Sequence, residues 1–135
     1  MTDPVVKGQW PERVAIVGSR SYEDELKRER ESPLWLRIVE AIAELPADTI
    51  VVSGGARGVD RMAATAARAL GLKVEVIPVK PEEWKKFGRA AGPIRNGKIA
   101  RACDRMIAFY DGESSGTANA IEQTRALGKP VDVRR

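Results

Sequence analysis

The sequence predicts one α/β domain, a mainly parallel sheet of five strands with helices on both faces. Short and almost wholly apolar runs rich in β-branched residues alternate with segments whose apolar residues recur at helical spacing. Strands without polar alternation are typical of a parallel sheet buried on both faces. The 135 residues are the size of a single domain. Alternating strands and helices joined by short turns predict a doubly wound arrangement.

The first strand and helix follow from an apolar run and two helix signals. Residues 13–17 are apolar after the first position and stop at Gly18, which predicts the first strand. Ser32 and Pro33 are the residue types preferred at a helix N-cap and at the first helical position. An apolar helical face follows and ends before Pro46, so these residues predict the first helix.

The next strand–helix–strand unit is marked by glycines. Residues 49–52 form an apolar run that leads directly into a glycine-rich turn, and they predict the second strand. An alanine-rich helical pattern begins after Gly58 and stops at Gly71, a residue type typical of helix C-termini. Residues 73–77 predict the third strand.

The C-terminal part continues the alternation. A helix is predicted from Pro93 to about Ala102, and residues 104–110 predict the fourth strand. The last helix is predicted to begin at Thr117 and to end at Gly128. Residues 130–133 predict a fifth strand at an edge of the sheet, because their proline donates no ladder hydrogen bond.

Composition excludes several kinds of protein and site. There is no histidine, which removes His-dependent catalysis and His-ligated zinc, and a single Cys103 excludes an internal disulfide and a cysteine cluster. We predict Cys103 to be a buried structural thiol. No apolar run approaches a membrane span and no signal peptide is evident, so a cytoplasmic location is expected, with no membrane contact, no metal and no cofactor.

Positive charge is concentrated in one segment. The formal net charge is +4, and residues 73–101 hold eight cations against three anions. This favours phosphate-bearing ligands or nucleic acid, although a solvated basic surface would look the same. The segment includes residues 78–93, predicted to be a long connection, in which Trp84 either stacks on a base or covers the core.

Glycine-rich turns follow three predicted strands, and parallel strands bring these turns to one edge of the sheet. Backbone N–H groups at a helix start attract phosphate, and glycine lets a ligand approach the backbone. The P-loop pattern and the dinucleotide fingerprint G-x-G-x-x-G are both missing. The turn residues predicted to bind a ligand are Gly18, Ser19, Arg20, Gly54, Gly55, Arg57, Gly58, Gly112, Ser115, Gly116 and Thr117.

Charged and polar side chains near these turns complete the predicted site. Arg20, Arg57 and Arg95 are candidates to clamp a phosphate, or else exposed charges. Asp60 would bond a ligand hydroxyl or stabilise the first turn of its helix. Asn96 would contact a sugar or base, or else the backbone.

Four blocks of sequence carry a family resemblance. They are Val-Ala-Ile-Val-Gly-Ser-Arg (14–20), Val-Val-Ser-Gly-Gly-Ala-Arg-Gly-Val-Asp-Arg-Met-Ala (51–63), Gly-Pro-Ile-Arg-Asn (92–96) and Ser-Gly-Thr-Ala-Asn-Ala (115–120). Over residues 13 to 133 the chain resembles the SLOG superfamily, which joins the Smf/DprA proteins, the LOG phosphoribohydrolases and the stand-alone YspA/YpsA-like proteins. Within the superfamily, the sequence resembles the stand-alone YspA-like members most. This resemblance implies a Rossmann-like fold that binds a nucleotide or a nucleotide-derived ligand.

The chain departs from the LOG pattern at its catalytic glutamates. Gly116 and Thr117 match that pattern, but Asn119 and Ala120 stand where two glutamates are expected, and helical geometry turns Glu122 away. We therefore predict ligand binding without an assigned catalytic residue. LOG-like cleavage of nucleoside 5'-monophosphates and DprA-like binding of single-stranded DNA are the alternatives.

The predicted organisation is an N-terminal arm, residues 1–12, followed by a nucleotide-binding domain, residues 13–135. A homo-oligomer is expected from the family resemblance and from apolar Trp10, Trp35 and Leu36.

Overall fold

A computed structural model describes residues 11–22 and 33–135 of the chain. The predictions for Trp10, for most of the N-terminal arm and for Ser32 as an N-cap lie outside these residues. The strands are β1 (Arg13–Gly18), β2 (Ile50–Ser53), β3 (Lys73–Val76), β4 (Arg105–Phe109) and β5 (Val131–Arg134). The α-helices of the described part are α1 (Pro33–Ala43), α2 (Val59–Ala69), α3 (Pro81–Phe87), α4 (Ala91–Ala102) and α5 (Ser115–Ala126).

The five strands form one parallel sheet in the order β3-β2-β1-β4-β5. The central strand β1 pairs with β2 on one side, where Val14 faces Val51, and with β4 on the other, where Gly18 faces Phe109. The chain runs outward from β1 in both directions, so the strand order reverses between β1 and β4. In open α/β sheets such a reversal leaves a crevice beyond the carboxyl ends of the strands.

Two hydrophobic layers cover the two faces of the sheet. Val14 and Ile16 of β1 are buried in a layer with α1 and α2, whereas Ala15 and Val17 are buried in a layer with α4 and α5. Successive residues of β1 thus bury both faces, which is why the strand lacks polar alternation. The doubly wound α/β prediction is confirmed, and β5 lies at an edge as expected.

The prediction of a long connection over residues 78–93 was wrong. The chain there forms helix α3 and a 3-10 turn, Gly88–Ala90, and α4 begins at Ala91, two residues before Pro93. Helix α3 has proline at its first position, and the Glu83 carboxylate accepts the Lys80 N–H at 2.9 Å. These contacts stabilise a helix start without any buried face.

The structure bears on the environment of the single cysteine and on membrane-spanning helices. Cys103 is 2% exposed, and burial raises the pKa of its thiol, as expected of a structural cysteine. Among residues 11–22 and 33–135, no helix is long and apolar enough to cross a membrane.

Candidate functional site

A cleft of about 570 Å³ opens beyond the carboxyl end of β1, at the point where the strand order reverses. Its walls come from the end of β1, the loop before α2, the α3–α4 region and the first turns of α5. Eight of the predicted ligand-binding residues line it: Gly18, Arg20, Asp60, Arg95, Asn96, Ser115, Gly116 and Thr117. The others lie outside its lining: Ser19, Gly54, Gly55, Arg57, Gly58 and Gly112.

The start of α5 presents backbone donors to this cleft. Ser114 is the N-cap, and its hydroxyl accepts the Thr117 N–H at 3.4 Å. The N–H groups of Ser115 and Gly116 belong to the first helical turn, where no preceding carbonyl reaches them. A Cβ placed on Gly116 would meet nothing within 4 Å, and Ser115, Gly116 and Thr117 all line the cleft.

Asp111 holds the turn that precedes α5. Its carboxylate accepts the hydroxyl of Ser21 at 2.6 Å and the N–H groups of Glu113 and Ser114, each at 2.8 Å. These hydrogen bonds, the one from Ser21 foremost, hold the pKa of Asp111 well below its usual range. The carboxylate therefore stays ionised, and it fixes the orientation of the helix start.

Two backbone N–H groups of the glycine-rich turn after β2 are bonded to side chains of the protein and are not free for a ligand. The Gly55 N–H donates to the Ser53 hydroxyl at 3.1 Å, and the Ala56 N–H donates to the Asp60 carboxylate at 3.3 Å. A Cβ on Gly54 would lie 2.7 Å from the Arg95 guanidinium and from the Asp60 carboxylate. Glycine is needed at position 54 because two charged side chains pack against the backbone there.

Asp60 and Arg95 form the charged floor of the cleft. Asp60 is 5% exposed, and burial raises its pKa to about 6 although Arg95 and the backbone N–H groups of this region favour the ionised form. Arg95 donates to the Gly54 carbonyl at 2.7 Å. Burial lowers the pKa of Arg95, and the positive charge of Arg20 contributes to that shift, so two guanidinium groups face the same cleft.

Asn96 and Ser19 connect the walls of the cleft. Asn96 is 7% exposed, and its Nδ2 donates to the Gly116 carbonyl at 3.2 Å. Ser19 is fully buried, and its hydroxyl bonds the Thr117 hydroxyl at 3.4 Å and accepts the Asp111 N–H at 3.1 Å. Both side chains hold β1 and α4 against the start of α5.

Arg89 and Asn119 were not among the predicted ligand contacts, yet both line the cleft, as does Trp84. Arg89 lies in the 3-10 turn after α3, and Trp84 is 47% exposed on the cleft wall. The helix signals of α3 were the available indication that this segment folds over the site. Trp84 contributes a wall of the cleft rather than the core.

The cleft has a positive balance of charge. Among the described residues that line it, three are arginines (Arg20, Arg89 and Arg95) and one, Asp60, is acidic. Together with the start of α5, these groups suit an anion. No group of acidic or cysteine side chains suited to hold a metal ion occurs among the described residues.

Comparison with known proteins identifies the family. A sequence model of the family described as DNA recombination-mediator protein A matches residues 5–87. The Gene 61 protein of Mycobacterium phage D29 is 34% identical over 124 residues, covering 88% of this chain and 93% of the relative. The chain belongs to the DNA recombination-mediator protein A family and to the SLOG superfamily.

Two solved structures share the fold. DNA processing protein A (DprA) from Streptococcus pneumoniae aligns with a TM-score of 0.64 and 24% identity over 90% of this chain, and the protein TM1055 aligns with a TM-score of 0.64 and 24% identity over 89%. The match covers 72% of TM1055 but 50% of the DprA structure, so this chain spans about half the length of DprA. The Rossmann-like fold is thereby confirmed.

Proposed function

We propose that this member of the DNA recombination-mediator protein A family binds a nucleotide or a nucleotide-derived ligand in the cleft between β1, α4 and α5. The observation that carries the proposal is the pairing of the open start of α5 with Arg20 across one cavity. The backbone N–H groups at the start of α5 would be fixed donors to a phosphate, and the flexible Arg20 side chain would bring a charged donor to the same phosphate.

The rest of the cleft suits the uncharged part of a nucleotide. Its volume of about 570 Å³ lies in the range of small-ligand sites. Trp84 offers a half-exposed ring on the wall, and such rings stack on nucleobases. Arg89 lies close to the same wall and would stabilise a second phosphate or the edge of a base.

Arg20 is the better phosphate ligand of the two predicted arginines that line the cleft. Arg95 already donates to the Gly54 carbonyl and to the Asn96 side chain, and it faces the buried Asp60 carboxylate, so two of its donors and part of its charge are engaged. Arg20 is exposed at the mouth of the cleft. Its removal should therefore weaken anion binding without disturbing the fold.

Calorimetric titration with AMP, GMP, CMP and UMP tests the proposal. At least one should bind, and Arg20→Ala should weaken it by about 10-fold or more, since hydrogen bonds to charged groups contribute about 1.5–3 kcal/mol. Arg68→Ala removes an exposed arginine of α2 outside the cleft and should change the affinity by less than about twofold. Absence of binding by all four, or equal affinity for AMP and adenosine, would overturn the proposal.

Single-stranded DNA binding is a second candidate, and family membership favours it. Lys85 and Lys86 in the last turn of α3 lie near Arg89 in sequence and add positive charge beside the cleft. Fluorescence anisotropy with a labelled oligonucleotide should then show affinity that falls steeply as salt rises. Absence of binding at low salt would remove this candidate.

A further inference from the structure

Four side chains form a continuous hydrogen-bonded row along the α4–α5 wall of the cleft. Arg95 Nε donates to Asn96 Oδ1 at 3.2 Å, and Asn96 Nδ2 donates to Asn119 Oδ1 at 3.1 Å. From the other side, Gln123 Nε2 donates to the same Asn119 Oδ1 at 2.9 Å. Asn119 Oδ1 thus accepts two hydrogen bonds.

The backbone determines which way these amides are oriented. Asn96 Nδ2 also donates to the Gly116 carbonyl at 3.2 Å, and Gln123 Nε2 donates to the Pro93 carbonyl at 2.8 Å. A carbonyl only accepts and a guanidinium only donates, so neither Asn96 nor Gln123 can be reversed. Both therefore present N–H groups to Asn119, and the Asn119 atom between them must be its oxygen.

The opposite end of the Asn119 amide is consequently an NH₂ group. It donates to none of the described residues, and Asn119 lines the cleft. Asn119 stands four residues after Ser115, about one helical turn beyond the start of α5. One turn is about 5–6 Å, comparable to the separation between a nucleotide's phosphate and its sugar.

We propose that Asn119 is a specificity-determining residue whose NH₂ group donates a hydrogen bond to a sugar oxygen of the bound nucleotide. This inference rests on the proposed function, and it assigns a contact to the sugar of the ligand, one helical turn from the phosphate. Arg95, Asn96 and Gln123 act as positioning residues, because they determine which end of the amide faces the ligand.

The variant Asn119→Asp isolates the donor. One carboxylate oxygen keeps the bonds from Asn96 and Gln123. The other has no N–H to donate to the sugar, and its negative charge repels the nucleotide phosphate. Calorimetry with AMP should show affinity weakened about 10-fold or more. The matched control Arg125→Gln changes the net charge by the same amount at an exposed residue of α5 outside the cleft, and its affinity should stay within about twofold.

A second variant separates a ligand contact from a structural effect. Asn119→Ala should weaken AMP about 3- to 10-fold but leave inorganic phosphate, which has no sugar, unchanged. Equal loss for both ligands would mean that Asn119 acts through the shape of the site and would overturn the inference. AMP affinity of Asn119→Asp equal to that of the wild type would also overturn it and leave the proposed function standing. If the wild-type protein binds none of the four nucleotides, both proposals fall.

Discussion

The buried carboxyl of Asp60 should make the stability of the fold depend on pH in a direction unusual for an aspartate. Burial raises its pKa from 3.8 to about 6, since the low-polarity surroundings disfavour the ionised form more than Arg95 favours it. In the unfolded chain the same group ionises near its ordinary value. The comparison to make is between the wild-type protein and Asp60→Asn, in which this position has no charge to titrate.

The expected magnitude follows from the two pKa values. The difference between 3.8 and about 6 corresponds to about 3 kcal/mol at 1.36 kcal/mol per pH unit. Between these values the folded state binds more protons than the unfolded state, so the free energy of unfolding falls as pH rises. The stabilisation is complete below pH 3.8 and is lost as pH passes through 6.

Urea denaturation at intervals from pH 4 to pH 7.5 measures this effect for both proteins. Subtracting the Asp60→Asn free energies from the wild-type values removes groups that titrate alike in both. Because pH 4 lies just above the pKa of 3.8 of the unfolded group, the difference should fall by about 2.5 kcal/mol over this range as pH rises. A flat difference would refute the reasoning, and a rising one would mean that attraction to Arg95 outweighs burial.

Three further predictions concern packing, assembly and chemistry. Gly18→Ala should lower the free energy of unfolding by about 1–3 kcal/mol, because its Cβ would collide with the Val59 side chain. Gly116→Ala, whose Cβ would meet nothing within 4 Å, should change it by less than about 1 kcal/mol. Equal effects of the two variants in urea denaturation would contradict this. Light scattering should give a mass above the 14.8 kDa of one chain, since self-association is expected and Leu36 is 52% exposed; a mass of one chain would exclude it. Incubation with AMP should release no ribose 5-phosphate, because Asn119 and Ala120 stand where LOG enzymes carry glutamates, and release of the sugar phosphate would contradict the prediction of binding alone.

Most of the fold could be predicted because its elements bury apolar residues in regular patterns. The run at β1 is apolar on both faces, and the structure buries Val14, Ala15 and Ile16 completely. Helix α3 was missed because none of its seven residues is buried, so it has no apolar periodicity to read. Its signals were instead local: Pro81 at the first position and Glu83 bonded to the N-cap backbone.

The site could be predicted where it depends on strand ends, and less well where it depends on contacts distant in sequence. The start of α5 follows from the glycine-rich turn and the helix after it. The contacts of the turn at Gly54 depend on Arg95, 41 residues away, whose guanidinium donates to the Gly54 carbonyl. Similarly, the orientation of Asn119 follows from Asn96, 23 residues earlier. No local pattern encodes such pairings.

The proposed phosphate site at the start of α5 can be tested most directly by NMR. Backbone amide signals of the protein can be followed by two-dimensional NMR while the nucleotide that binds in the calorimetric screen is added. We predict that the largest changes occur at the N–H groups of Ser115 and Gly116, accompanied by the side-chain NH₂ of Asn119. Saturable binding that leaves these signals in place, with the changes gathered at β5 or α1 instead, would contradict the assignment of the phosphate to this helix start.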